Sequence, residues 1–138
     1  MGDACSSAYN RHCFRIHYNS RSETTQLSQS ACLLTNQSIS SHYGYSPNGA
    51  AVVRYVFRPT PGYYGDHKGP AAPCDGSGDG QGVYYNAASG YNQNPYGAYS
   101  VYSSTGYGGQ NKWFPKYDGI ARNLPSGIKN HNGSHQRY

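Results

Sequence analysis

At 138 residues the chain is one domain or two small fused halves, and its charged residues amount to only 12%. Eighteen glycines and sixteen tyrosines leave two classes, a low-complexity tract or a β-rich extracellular domain, since a Tyr-rich sheet packs its rings and wets its hydroxyls. No segment approaches the roughly 20 apolar residues of a membrane span. The net charge of +5 comes from scattered basic residues. It suits contact with an anionic surface or plain solubility, and no nucleic-acid motif accompanies it.

Residues 1–12 read as a short lead with turns. The lack of an apolar leader before Cys5 is read as a mature exported chain with an added Met1. Residues 13–19 alternate as a strand, and 20–31 hold a corner with a weak second strand at 25–27. Leu33-Leu34 is one of the few aliphatic pairs. Residues 50–58, AAVVRYVFR, form the strongest strand signal, ended by Pro59 and Pro61. The Pro- and Gly-rich stretch 59–82 predicts a long loop. Residues 82–87 predict another strand, and 91–97 a connection carrying Asn94-Pro95. Tyr102 then leads a strand into a corner at Gly106, Tyr107, Gly108 and Gly109, and a second aromatic strand runs through Trp113 and Phe114. The chain closes on the loop Asn130-His131-Asn132-Gly133-Ser134. No stretch carries a convincing helical apolar stripe.

So thin an aliphatic core calls for staples. Cys5, Cys13, Cys32 and Cys74 can supply two disulfides in any of three connectivities. Pairing Cys5 with Cys13 and Cys32 with Cys74 is preferred because each bridge then closes a distinct excursion, contributing about 2–4 kcal/mol. No CxxC pair supports zinc. Paired cysteines imply an oxidising compartment, hence a secreted protein.

The final stretch repeats an earlier one. HYNSRSETTQL (17–27) aligns with VYSSTGYGGQN (101–111), setting Tyr18 opposite Tyr102 and Ser20 opposite Ser104, and Ser89 falls on Ser134. The expected organisation is a single domain, 1–138. Residues 10–92 are a first Greek-key motif with an insertion at about 35–80, and 99–138 a second motif. The corner needs glycine where φ is positive. Gly109 meets that need seven residues after Tyr102, while Thr25 replaces it in the first copy.

The order of corner, aromatic strand, Asn123-Leu124 and Asn/Ser loop resembles a βγ-crystallin Greek key. The segments CFRIHYNS, GQGVYYNAAS, VYSSTGYGGQNKW, ARNL and IKNHNGSH are similar to small secreted actinobacterial proteins related to the Streptomyces metalloproteinase inhibitor. The likeness covers residues 10–35 and 80–138. It implies an all-β, double Greek-key βγ-crystallin-like sandwich and a peptidase inhibitor-like binding protein. Inhibitors of that family present a disulfide-bracketed loop, yet the second repeat has no cysteine. The candidate inhibitory loops are therefore residues 62–74, stiffened by prolines, and 106–111.

βγ-crystallins often hold calcium in N/D-N/D-x-x-S/T-S loops, oxygen donors suiting a hard cation. The matching residues are Asn86 and Ser89 in the first loop, and Asn130 and Ser134 in the second. Each loop has lost one of its first two donors and its last serine, and neither offers a carboxylate. No cofactor is expected, and any calcium would be weakly held. The alternative role for these four residues is hydrogen bonding within their own loops. Asp75 and Asp79 read as flexible loop, and His131 with His135 lacks a helix to make a zinc pair. No catalytic elbow or nucleophile context appears. The expected function is non-enzymatic: blocking an extracellular peptidase through an exposed loop, or, alternatively, binding cell-wall carbohydrate as an antimicrobial module.

Overall fold

The computed structural model describes residues 13–21, 30–36, 38–40, 55, 63–64, 77–78, 80–116 and 120–138. Among them the regular elements are all strands: β1 (Phe14–His17), β2 (Cys32–Thr35), β3 (Tyr63–Tyr64), β4 (Ser89–Asn92), β5 (Tyr99–Ser104), β6 (Gly108–Phe114), β7 (Ala121–Asn123) and β8 (Ser134–Arg137). They build two antiparallel sheets, one ordered β3-β2-β1-β4-β7 and one ordered β6-β5-β8. β7, from the second half, extends the first sheet beside β4. Reciprocally, Ile39 from the first half bridges to His135 on β8.

Side chains alternate across a strand, so each sheet sends one set of residues inward. Phe14, Ile16 and Leu33 from the first sheet meet Tyr99, Val101 and Phe114 from the second, all buried. The Phe14 ring stacks on Tyr99 at 4.5 Å, and Phe114 tilts against it at 5.1 Å. Such pairs add about 0.5–1.5 kcal/mol beyond area burial. The close approach depends on Gly90, where a Cβ would lie 2.6 Å from the Phe114 ring. Tyr55, Val83, Leu124 and Ile128 complete the core.

The opposite face of β1 and β2 is buried too: Cys13, Arg15, His17, Cys32 and Leu34 are at most 4% exposed. Burial on both faces explains why CLLT shows no period-2 alternation. The Arg15 guanidinium lies over the Tyr91 ring at 4.6 Å and bonds the Gln93 side-chain oxygen, while its Nε has no hydrogen-bond partner. Burial lowers the Arg15 pKa to about 10. His17 Nδ1 lies 3.2 Å from the Ser30 carbonyl. A carbonyl only accepts, so Nδ1 carries the proton of a neutral ring. Burial, helped by the Arg15 charge, lowers the His17 pKa to about 3.

Cys13 and Cys32 are both disulfide-bonded. The β1–β2 register sets Phe14 against Thr35 and His17 against Cys32, so the two cysteines stand four residues apart along the ladder. That is roughly 13 Å at 3.3 Å per residue, too far for a bond between them. The connectivity joining Cys13 to Cys32 is thereby removed. Cys5 and Cys74 lie outside the described residues.

Several sequence expectations change. Residues 82–87 are not a strand; the strand begins at Ser89, and Tyr91 and Asn92 belong to it rather than to a connection. Tyr85 takes φ 53°, and Asn86 and Ala87 donate their backbone N–H groups to the Asn132 side chain instead of a ladder. Within the expected loop 59–82, Tyr63–Tyr64 pair with β2. The weak strand at 25–27 and most of 50–58 lie outside the described residues. β7 had no distinct sequence signal.

Candidate functional site

Two loops meet at one end of the sandwich, residues 82–88 and 125–133. They are bound reciprocally: Tyr85 N–H donates to the Asn132 carbonyl, and Asn130 N–H donates to the Ala87 carbonyl. Two further pairs repeat the pattern. Ala88 N–H donates to the His17 carbonyl as Gly133 N–H does to that of Tyr102. Ser89 Oγ donates to the Asn19 carbonyl at 2.7 Å, as Ser134 Oγ does to that of Ser104 at 2.6 Å. These bonds set His17, rather than Tyr18, in the position of Tyr102, a shift of one residue from the sequence alignment.

The corners follow from that shift. Tyr102 packs its ring against Tyr107 at 5.9 Å, while the residue lying over Gly109 (φ 78°) is Ser103. In the first half Tyr18 takes the place of Ser103 and lies over Gly78 (φ 91°). The glycine missing at Thr25 is thus supplied from residue 78, far along the chain. Gly106 is also at positive φ, and its N–H donates to the Ser40 carbonyl.

The four candidate calcium residues divide. Ser89 and Ser134 close their own loops, and Ser134 Oγ also accepts from Tyr107 N–H at 3.1 Å. Asn86 spends its amide on Gln81 and the Gly82 carbonyl. Asn130, at φ 59°, is exposed. The residue that organises both loops is Asn132, which is wholly buried. Its Oδ1 accepts from Asn86 and Ala87 N–H, and its Nδ2 donates to the Val83 carbonyl at 2.8 Å. Its sequence mark is Asn132-Gly133-Ser134, since an Asn side chain beside a glycine readily hydrogen-bonds nearby backbone.

Between these loops and the chain leaving β1 is a polar cleft of about 320 Å³, lined by Tyr18, Asn19, Ser20, Asn86, Ala88, Lys129 and Asn130. Among the described residues no carboxylate lines it, and the Lys129 ammonium opposes a divalent cation there. The donor set does not fit calcium. His131 and His135 are not brought together either. His135 is buried against Phe14 and Tyr99, whereas His131 is exposed beside Tyr85.

A second feature lies on the outer face of the β6-β5-β8 sheet. Register places Tyr102, Ser100, Trp113, Asn111 and Gln136 on that face. Trp113 is the chain's single tryptophan and is 48% exposed. Its ring meets Tyr138 at 5.4 Å, tilted by 57°, and the Tyr102 and Tyr138 hydroxyls bond each other. Of the two candidate inhibitory loops, 106–111 borders this face, with Gly106, Tyr107 and Gly109 at positive φ. Such a backbone cannot lie extended in a cleft as a substrate does. Residues 63–64 of the other loop are committed to β3, and the rest of it lies outside the described residues. No family model, curated protein or solved structure matches the chain.

Proposed function

We propose that the chain is a double Greek-key module of the βγ-crystallin type, secreted, that works by binding rather than catalysis, and that its partner is an extracellular peptidase which it inhibits. The strand exchange supports the fold reading: each sheet takes strands from one half and receives β7 or Ile39 from the other. The observation that carries the binding reading is the exposed aromatic cluster of Trp113, Tyr138 and Tyr102, with the Tyr107 corner at its border. Trp and Tyr are the side chains that most often dominate protein interfaces. Rings tilted by 54–57° give a corrugated surface that fits another protein better than a flat sugar ribbon. The sequence resemblance to the peptidase-inhibitor family names the partner class. With the 106–111 corner unsuited to substrate-like insertion, the face acts by covering the peptidase surface beside its cleft.

The test is titration of the oxidised protein against one metallo-, one serine and one cysteine peptidase, following residual activity. A one-to-one endpoint that Trp113→Ala weakens supports the reading. Flat curves with intact protein refute it. A second reading, binding of anionic cell-wall carbohydrate, draws on charge: the chain carries eleven Lys/Arg against six Asp/Glu, a net charge of +5. Salt-sensitive retention on cell walls, with no effect on any peptidase, would favour it.

A further inference from the structure

The polar cleft beside Lys129 is independent of the aromatic face, and its chemistry points elsewhere. Three segments converge on it: Asn19 and Ser20 after β1, Asn86 before β4, and Lys129 with Asn130 before β8. Tyr85 and Asn130, one beside the cleft and one lining it, are both held at positive φ. Non-glycine residues rarely adopt that conformation unless the surroundings impose it. Here the imposing contacts are the reciprocal bonds of Tyr85 with Asn132 and of Asn130 with Ala87. The side chains of Lys129 and Asn130 make no hydrogen bond or ion pair among the described residues.

The repeat-related location supplies a comparison within the molecule. Tyr84 and Tyr85 stand where the first location has Lys129 and Asn130, and His131 stands where it has Asn86. Those rings pack on one another, Tyr84 on Tyr85 at 4.3 Å and Tyr85 on His131 at 5.6 Å. One of the two equivalent places therefore carries stacked aromatic side chains, and the other, among the described residues, is polar and cationic.

We infer that this cleft binds an acidic sugar, with the Lys129 ammonium pairing its carboxylate, the Asn130 amide donating to and accepting from its hydroxyls, and the Asn86 Oδ1 accepting from one of them. A charge-assisted bond from an ammonium is the strongest single contact the lining offers. Side-chain amides both donate and accept, which matches the two-way hydrogen bonding of a hydroxyl. The volume of about 320 Å³ is at the small end for ligand sites, the size for one ring rather than a long chain.

The test follows backbone amide signals by NMR while sodium glucuronate, glucose, acetate or calcium chloride is added at matched ionic strength. Glucuronate is expected to move the signals of Ser20, Asn86, Lys129 and Asn130, and less so as salt rises. Glucose and acetate should bind at least about tenfold more weakly, and Lys129→Met should weaken glucuronate by about tenfold or more, the cost of losing one charged hydrogen bond. Asn130→Ala, checked for an unchanged fold by its remaining signals, should weaken it further. Unmoved signals with glucuronate overturn the inference. So does equal binding by Lys129→Met, equal binding of glucose or acetate, or a preference for calcium.

Discussion

Asn132→Ala should be among the most damaging single substitutions in this chain. The side chain is wholly buried and makes three hydrogen bonds, two received at 3.0 Å from Asn86 and Ala87 N–H and one given at 2.8 Å to the Val83 carbonyl. Alanine leaves the Ala87 N–H without a partner, while the Asn86 N–H and the Val83 carbonyl each lose one bond but keep the one between them at 3.1 Å. Ala87 is fully buried, so water cannot replace its lost bond, and that orphan costs about 1–3 kcal/mol; the bond lost at the Val83 carbonyl, which stays paired, adds about 0.5–1.5 kcal/mol. Asn86 is half-buried and recovers part of its loss from solvent. The sum is about 2–5 kcal/mol, against a total of about 5–15 for a domain of ordinary stability. Urea denaturation should register it as a lower midpoint, with the slope reporting whether the loops loosen before the sheets. Asn132→Asp refines the test. The carboxylate keeps the acceptor but loses the donor to Val83, and it buries a charge. That variant should lie furthest below the wild type at neutral pH and recover relative to it as acid protonates the carboxyl and restores a donor. A loss below about 1 kcal/mol for Asn132→Ala would refute the reasoning, because it would mean that water already reaches these groups.

Other outcomes follow from neighbouring features. His17, whose pKa falls from 6.5 to about 3, binds a proton in the unfolded chain before it does in the folded one. Its contribution is complete above pH 6.5 and is lost as pH falls toward 3, at up to about 1.4 kcal/mol per pH unit. Parallel pH-stability curves for wild type and His17→Gln would contradict this. Gly133→Ala places a Cβ 2.6 Å from the Ser104 backbone and should cost about 1–3 kcal/mol. The repeat-related change Ala88→Gly, where a Cβ already fits, should cost only about 0.5–1 kcal/mol by thermal melting. Gly90→Ala, aimed at the Phe114 ring, should destabilise by a similar 1–3 kcal/mol or so, and Phe114→Leu in the same chain should relieve part of it.

The β-rich class was readable from Tyr, Gly and the lack of helical periodicity, and the strands around Val101 and Trp113 were readable from alternation and the Gly109 corner. Others were not, for physical reasons. β2 is buried on both faces, so CLLT lacks the alternation that marks a half-exposed strand. β7 is three residues long and is fixed by distant residues, its neighbour β4 and Arg21. Residues 82–87 look like a strand because Val83, Tyr84 and Tyr85 have high β-propensity. Asn132, from 45 residues later, captures the backbone N–H groups that a ladder would have used. Of the four candidate calcium residues, Ser89 and Ser134 turn inward to close their own loops, whereas Asn130 stays exposed. Lys129, which gives the cleft its charge, had no motif to mark it. The glycine partner of Tyr18 could not be read either, since it comes from residue 78 rather than from the corner itself.

The exchange of β7 and Ile39 between sheets bears on descent and assembly. One repeat alone would have an incomplete sheet and an exposed aromatic core, so a protein of that length could fold only by pairing with a second copy of itself. Within one chain that pairing is intramolecular, which leaves the two halves free to differ, one with a polar cleft and the other with stacked tyrosines. A chain cut between Asn92 and Tyr99 should accordingly yield two pieces that are unfolded apart and regain the native sandwich when mixed.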